Sequence, residues 1–102
     1  MENSLNLVKD KFKELPNNIE AEQAVIGTIL VSNEIFDDLN VIISSKNFFD
    51  PMHQKIFLAI EKLIYSGMLA SPITLKNQFE NEKDDLNIPD YLVKITKFST
   101  SS

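Results

Sequence analysis

The sequence predicts an all-α fold, a compact orthogonal bundle of five to six short helices. Apolar residues recur at three- and four-residue spacing along most of the 102 residues, whereas the two-residue alternation of strands is almost absent. Prolines, glycines and capping residues divide this pattern into short segments. A hydrophobic content of 43% with 25% charged residues is ordinary for a globular chain, and the length suits one domain with a single core.

The chain divides into three parts. Residues 1–15 carry a weak amphipathic pattern and are predicted to be flexible or partly helical. Pro16 ends this pattern, because the residue before a proline avoids helical backbone angles. Residues 16–98 are predicted to form the globular helical domain, and residues 99–102, with the sequence STSS, to begin a linker toward further parts of a longer parent protein.

The first helix of the domain is expected to begin after Asn17 or Asn18, both good N-caps, and to end near Val31. Glu20 is placed to complete a capping box with Asn17. A second helix is predicted over residues 33–43. Its inward-facing apolar residues are expected to be Ile35, Phe36, Leu39, Ile42 and Ile43.

The third helix has the clearest start and stop signals. A loop before it is expected to direct both Phe48 and Phe49 toward the core. Asp50 is the predicted N-cap, and Pro51 takes the first helical position, where its missing N–H costs nothing. The helix is predicted to end just before Gly67, a residue suited to the left-handed C-terminal position.

Two further helices complete the predicted bundle. The fourth is expected to run from a Thr74 cap to about Lys83 and to bury Leu75 and Phe79. Pro89 opens the last helix. Its apolar residues fall on one side: Tyr91, Leu92, Ile95 and Phe98.

Two residues of the first helix are unusual for their positions. Glu22 falls among isoleucines, where a buried charge must be paired, and we predict that backbone N–H groups or a lysine satisfy it rather than that it acts as an acid or base. Gly27 costs ~1 kcal/mol relative to alanine in a helix interior. It lies beside a face of small residues that lets neighbouring helices approach closely, so this helix is predicted to be central. Glu22 and Gly27, like Asp50 and Gly67, are therefore expected to specify the fold.

The sequence offers no set of residues for catalysis or metal binding. His53 is the only histidine, cysteine is absent, and the two glycines are isolated, so neither a metal site nor a phosphate-binding loop is indicated. His53 is predicted to pack in the core or to cap a helix. We expect no catalytic residue, metal or cofactor in this chain. The lack of cysteine and of any apolar run of roughly 18 residues fits a cytoplasmic protein.

The third helix carries apolar residues on its polar side. Leu58 and Tyr65 lie opposite the buried stripe, seven residues apart and near Glu61. Scattered apolar residues are common on protein surfaces. An aromatic–aliphatic pair on one helix face is also typical of a protein-docking surface, which Met68 and Leu69 would extend. Both interpretations stay open.

Charge favours a protein partner over a nucleic acid. The net charge is −5, and all ten basic residues are lysines. Without arginine the chain lacks the planar group that binds phosphates and guanines in bidentate fashion. Direct DNA binding, for example through a helix-turn-helix, is therefore disfavoured.

A series of short sequence motifs in a fixed order is the most specific feature of the chain. NNIEAEQAVIGTIL is followed by NFFDPMHQKIF, then SG, ITL and YLVKI. Together they closely resemble the N-terminal domain of bacterial replicative DNA helicases of the DnaB type, over about Leu15 to Phe98. The sequence departs from the family at LNIPDYL, where a glycine pair often precedes the YL helix.

The resemblance implies a protein-interaction and assembly domain, a collar on a hexameric ATPase ring that self-associates and receives primase and, in some bacteria, a loader. ATP and Mg would belong to the ATPase domain of the parent. The family's helical hairpin is lacking here, so a monomer or weak dimer without enzyme activity and with little direct DNA binding is expected. Composition and periodicity alone leave a generic helical adaptor, unrelated to replication, as the alternative.

Overall fold

The computed structural model describes residues 18–79 and 88–100, and this part of the chain holds α-helices and 3-10 helices but no strand. We number the α-helices in chain order: α1 (Ile19–Val31), α2 (Phe36–Leu39), α3 (Pro51–Tyr65), α4 (Pro72–Gln78) and α5 (Ile88–Thr100). Two 3-10 helices, Asn33–Ile35 and Ser45–Asn47, precede α2 and α3. The predicted all-α fold is confirmed. The amphipathic pattern of residues 1–15 lies outside the described residues.

Helix α1 is the centre of the bundle. It packs most extensively against α5, and it also contacts α3 and the first 3-10 helix. Its buried residues lie on more than one side of the helix, because it has neighbours on more than one side: Ala21, Glu22, Val25, Ile26, Gly27, Ile29 and Leu30. The central position predicted from its small-residue face agrees with this packing.

Side-chain caps fix where the helices begin. The Asn18 carboxamide oxygen accepts a hydrogen bond from Ala21 N at 3.0 Å, so Asn18 is the N-cap of α1. Ala21, the third residue after this cap, has no polar side chain to return a hydrogen bond, so Asn18 forms no capping box. Asn17, which was expected to form a capping box with Glu20, lies outside the described residues. The Asp50 carboxylate caps α3 by accepting from Met52 N at 2.8 Å.

Helix α3 ends in a left-handed turn. Gly67 has a φ of 81°, a backbone conformation that is energetically unfavourable for any residue with a Cβ atom. Its N–H donates to Ile64 O at 3.0 Å, and Met68 N–H donates to Leu63 O at 2.9 Å. This pair of bonds is the Schellman motif, which satisfies carbonyls at the helix end.

The predictions for residues 33–49 were wrong at two side chains. Helix α2 ends at Leu39 and the chain then turns, so Ile43 is buried but Ile42 is 42% exposed. Phe48 is 1% exposed, whereas Phe49 is 62% exposed. The two phenylalanines diverge because the backbone is extended here, which sends successive side chains in opposite directions.

The fourth helix begins earlier and ends earlier than predicted. Ser71 is the N-cap, Pro72 is the first residue, and Thr74 is the third residue of a capping box with Ser71 rather than the cap. The helix ends at Gln78, and Leu75 and Phe79 are buried as expected. Residues 80–87, which include the predicted end at Lys83, lie outside the described residues. The last helix starts at Ile88, one residue before Pro89, and continues to Thr100.

Three phenylalanines fill the core between α2 and α3. The Phe57 ring lies 5.5 Å from the Phe36 ring and 5.3 Å from the Phe48 ring, measured between centroids. All three side chains are at most 1% exposed. Tilted ring pairs at this separation stabilise a core beyond the area they bury, so the outer face of α3 sits on a rigid base.

Candidate functional site

The outer face of α3 and the segment after it expose apolar residues. Leu58 is 51% exposed and Tyr65 is 61% exposed, and Met68 and Leu69 beyond the helix are 52% and 67% exposed. Glu61 is half-buried. Leu58 and Tyr65 lie two helical turns apart on one side of α3, as their seven-residue spacing requires. We call Leu58, Glu61, Tyr65, Met68 and Leu69 the α3 surface.

Tyr65 is exposed but held in place. Its ring packs edge-on against Phe36, with centroids 6.0 Å apart and ring planes at 75°. Its hydroxyl accepts a hydrogen bond from the side-chain amide of Asn40. An aromatic side chain fixed at its base loses little conformational entropy on binding, which is a property of interface anchors.

Asn33 fixes the segment that carries Met68 and Leu69. Its Oδ1 accepts from Ala70 N at 2.7 Å, and its Nδ2 donates to Ala70 O at 3.0 Å and to Ile29 O at 2.8 Å. The bonds to both backbone groups of Ala70 tie this segment to the end of α1. Sequence reasoning placed Asn33 only at the start of a helix, since its partners are 37 residues away.

A buried polar cluster joins α1, α3 and α5. One Glu22 carboxylate oxygen lies 2.7 Å from Nδ1 of His53. The other ring nitrogen of His53, Nε2, lies 2.5 Å from the hydroxyl oxygen of Tyr91. The Tyr91 hydroxyl also accepts from Gln23 Nε2 at 3.0 Å. Glu22 and His53 are both 0% exposed. Sequence reasoning missed this pairing because 31 residues separate the carboxylate from the histidine.

Glu22 also binds the backbone before α3. Its Oε2 accepts from Phe49 N at 2.5 Å, and its Oε1 accepts from Asp50 N at 3.3 Å. The carboxylate therefore has backbone N–H partners, which is one of the two arrangements expected from the sequence, with His53 in place of a lysine. Among the described residues, no buried side-chain polar atom lacks a hydrogen-bond partner.

One assignment of protons satisfies the whole cluster. With the ring proton on Nδ1, His53 donates to Glu22, the Tyr91 hydroxyl donates to His53 Nε2, and the Gln23 amide donates to the Tyr91 oxygen. The His53 and Tyr91 rings also stack, with centroids 5.7 Å apart and planes at 19°. Hydrogen bonds and stacking together set the position of α5 on the other two helices.

The order carboxylate, histidine, hydroxyl is that of nucleophilic active sites, but the chemistry here is different. Burial raises the pKa of the Tyr91 hydroxyl, and the negative charges of Asp50 and Glu22 raise it further, while the Gln23 hydrogen bond lowers it. A nucleophile needs a pKa shifted the other way, and a substrate needs access that the fully buried Glu22 and His53 do not give. The cluster is suited to structure rather than to catalysis.

The described residues contain no group of three or more histidine, cysteine or acidic side chains placed to hold a metal ion. Within the same ranges, no helix has the length and apolar character needed to span a membrane. The α3 surface, by contrast, exposes apolar side chains of the kind found at contacts between macromolecules.

Comparison with known proteins points to one family. Residues 14–102 match the model of the DnaB-like helicase N-terminal domain. Over 87 residues, 83% of this chain, the sequence is 38% identical to the replicative DNA helicase DnaB of Rickettsia felis and of Rickettsia typhi. It is 37% identical over 73 residues, 72% of this chain, to the same helicase of Buchnera aphidicola subsp. Baizongia pistaciae. The chain matches 18% of the length of the two Rickettsia proteins and 16% of the Buchnera protein.

Proposed function

This chain belongs to the family of DnaB-like helicase N-terminal domains, and we propose that it is the assembly and docking domain of a hexameric replicative DNA helicase. In this function it contributes to ring formation and receives primase, and in some bacteria a loader, during DNA replication in the cytoplasm. The main support for the proposal is the α3 surface. There the Tyr65 ring is fixed by its packing against Phe36, and three further apolar residues are exposed beside it.

The proposed mechanism is mechanical support and recruitment rather than chemistry. ATP-driven unwinding, with its bound ATP and Mg, would reside in the part of the parent protein that corresponds to the remaining four-fifths of the DnaB relatives. The net charge of −5 and the absence of arginine favour protein contacts over direct DNA contacts. The polar cluster supports this division, because it joins three helices and buries Glu22 and His53 completely.

A titration with the helical C-terminal domain of primase from the same organism tests the docking proposal. The chain is labelled with ¹⁵N, and amide shifts are followed as primase is added. We expect the shifts to cluster on Leu58, Glu61, Tyr65 and their neighbours on α3. Shifts that cluster on another face would keep docking but exclude the α3 surface.

Matched substitutions sharpen this titration. Leu58→Ala and Tyr65→Ala are expected to weaken primase binding at least about tenfold each, the range of interface anchors. Val93→Ala is the control, because Val93 is a 41% exposed apolar residue on α5, outside the α3 surface. Equal binding by all three variants, or the absence of shifts at high primase concentration, would refute docking on this surface.

A further inference from the structure

An exposed apolar patch lies beside the start of α1. Phe49 is 62% exposed, and Ile19, the first residue of α1, is 36% exposed. Ile19 precedes Glu22 by three residues, so the two side chains lie on one side of the helix. The Glu22 carboxylate accepts the N–H of Phe49, which places Phe49 next to the first turn of α1. We call Ile19 and Phe49 the apolar patch.

The apolar patch lies over a hydrogen bond that water can approach. The bond from Phe49 N to Glu22 Oε2 is 2.5 Å long but only part-buried, although the Glu22 side chain itself is fully buried. A hydrogen bond to a carboxylate strengthens when water is excluded, because the effective dielectric constant around it falls. A segment packed on the patch would therefore bury apolar surface and strengthen the attachment of the start of α3 to α1.

Residues 5–15, which precede the described residues, carry an apolar face that fits this patch. On a helix, four of their apolar residues fall on one side, because they follow one another at three- and four-residue spacing. These residues are Leu5, Val8, Phe12 and Leu15. A helix with one such face is stable only when that face packs on another apolar surface.

The charges beside the two surfaces are complementary. On a helical projection at ~100° per residue, Lys9 and Lys11 flank the apolar face of residues 5–15, one on each side. The residue that follows each member of the apolar patch is an acid, Glu20 or Asp50. Opposite charges at the rim of a contact add little to its affinity, but they favour one partner over others.

The connection to α1 is short and changes direction. Asn18 has extended backbone angles, φ −126° and ψ 96°, and Pro16 comes two residues before it, so a helix over residues 5–15 does not continue the axis of α1. Leu15 is three residues before Asn18, so their Cα atoms are at most about 11 Å apart. A short tether of this kind gives the segment an effective concentration of about millimolar at the patch, which favours it over a separate protein.

We infer that residues 5–15 form a helix that packs its apolar face on the apolar patch of the same chain. Phe12 and Leu15 are the members of this face nearest in sequence to α1, so they are the ones that cover Phe49 and Ile19. The contact excludes water from the part-buried hydrogen bond beneath the patch. The segment thereby supports the start of α3 from outside, as the buried cluster supports it from inside.

This inference goes beyond the proposed function. The family match covers residues 14–102, so most of the segment lies before the matched region. The apolar patch shares no residue with the α3 surface. Failure of the contact would therefore leave the docking proposal standing, and failure of docking would leave the contact standing.

A single tryptophan at the patch tests the contact. The chain has no tryptophan, so Phe49→Trp introduces one reporter, whose fluorescence emission moves to shorter wavelength when water is excluded. Val41→Trp is the matched control, because Val41 is 82% exposed and lies outside the patch. We expect Phe49→Trp to emit at shorter wavelength than Val41→Trp. Adding Phe12→Ala to Phe49→Trp is expected to shift this emission to longer wavelength, whereas adding Leu7→Ala, which lies off the apolar face, is expected to leave it unchanged.

Measurement over a range of chain concentrations identifies what covers the patch. An emission wavelength that does not depend on concentration supports the contact within one chain. A shift to shorter wavelength that grows with concentration would assign the patch to a second copy and overturn the inference. An emission that Phe12→Ala leaves as unchanged as Leu7→Ala does would also overturn it, and would leave the patch open to a separate protein.

Urea unfolding, followed by circular dichroism, gives a second readout. Phe12→Ala and Phe49→Ala are each expected to lower the unfolding midpoint. The double variant is expected to lower it no further than the larger single effect, because both substitutions remove the same contact. Val41→Ala is the control for loss of an exposed apolar side chain. Additive effects of Phe12→Ala and Phe49→Ala, or a Val41→Ala effect as large as that of Phe49→Ala, would contradict the inference.

Discussion

Removal of the Glu22 carboxylate is expected to be the most damaging small change in this domain. Glu22 is fully buried and accepts three hydrogen bonds, from Phe49 N, Asp50 N and His53 Nδ1. In Glu22→Ala these three donors lose their acceptor; the bond to His53 is buried, and the bonds from Phe49 N and Asp50 N are part-buried. A buried donor without a partner costs about 1–3 kcal/mol, so about 1 kcal/mol for each of the three donors gives a loss of about 3 kcal/mol in the free energy of unfolding.

This loss is large for a domain of this size. A chain of about 100 residues has a free energy of unfolding of roughly 5–15 kcal/mol. With a urea dependence of about 1–3 kcal/mol per molar, the midpoint of urea unfolding falls by at least about 1 M. The assay is urea unfolding followed by circular dichroism at 222 nm, since the fold is helical and the chain has no tryptophan.

Glu20→Ala is the matched control for this prediction. Glu20 also lies in the first turn of α1, but it is exposed, so its removal takes away the same favourable charge at the helix N-terminus without leaving buried donors. The control is expected to lose less than about 1 kcal/mol. Equal losses in Glu20→Ala and Glu22→Ala would refute the argument, because the cost would then come from the helix dipole and not from the buried cluster.

Three further changes probe neighbouring parts of the fold. The pKa of Tyr91 is raised in the folded state, mainly by burial. The contribution of the protonated hydroxyl to the free energy of unfolding is therefore fully present below the ordinary tyrosine pKa and is lost as pH rises through the folded-state pKa. Unfolding midpoints should therefore fall at alkaline pH, and less so in Tyr91→Phe. Gly67→Ala should cost about 1 kcal/mol in urea unfolding, because nothing lies within 4 Å of the added Cβ and only the positive φ opposes it. Asn33→Ala should remove the protection of the Ala70 amide against hydrogen exchange while the amide protection of α3 persists; unchanged exchange at Ala70 would contradict the role given to Asn33.

Local signals predicted the boundaries of α3 better than those of α2 or α4. Asp50 followed by Pro51 and a later Gly67 is a start and a stop that depend only on neighbouring residues, and the helix spans the residues between them. Ser71 followed by Pro72 carries the same start signal for α4. The interpretation that chose Thr74 as the cap overlooked it, although proline at the first helical position marks the preceding residue as the cap.

The two side chains misplaced by sequence reasoning depend on contacts between distant segments. Phe49 looks as apolar as Phe48, but its backbone N–H is bonded to Glu22, 27 residues earlier, and its ring is left outward. Ile42 follows the helical spacing of α2, yet the helix has ended three residues before it. Periodicity predicts which residues are able to face a core, whereas tertiary contacts decide which of them do.

Contacts between distant segments also formed the polar cluster, which the sequence could not reveal and which bears on whether the domain is catalytic. The sequence predicted that a carboxylate among isoleucines must be satisfied, because an unpaired buried charge is too costly. It could not name His53 or Tyr91, which come from two other helices. In the structure, the direction of the Tyr91 pKa shift favours a structural role over a catalytic one. The raised pKa keeps the hydroxyl protonated, so that it donates to His53. A protonated hydroxyl stabilises the cluster but is a poor nucleophile.

The buried cluster also supports the proposal that the outer face of α3 binds a partner. Glu22 holds the backbone at the start of α3, His53 lies in its first turns, and Asp50 caps it. At the other end, Gly67 and the bonds from Asn33 to Ala70 fix the segment beyond the helix. A helix restrained at both ends presents Leu58 and Tyr65 without first having to be ordered, so little of the binding free energy of a partner is lost to conformational entropy. Loosening the cluster, as in Glu22→Ala, is therefore expected to weaken partner binding under conditions in which the domain stays folded, although Glu22 itself touches no partner.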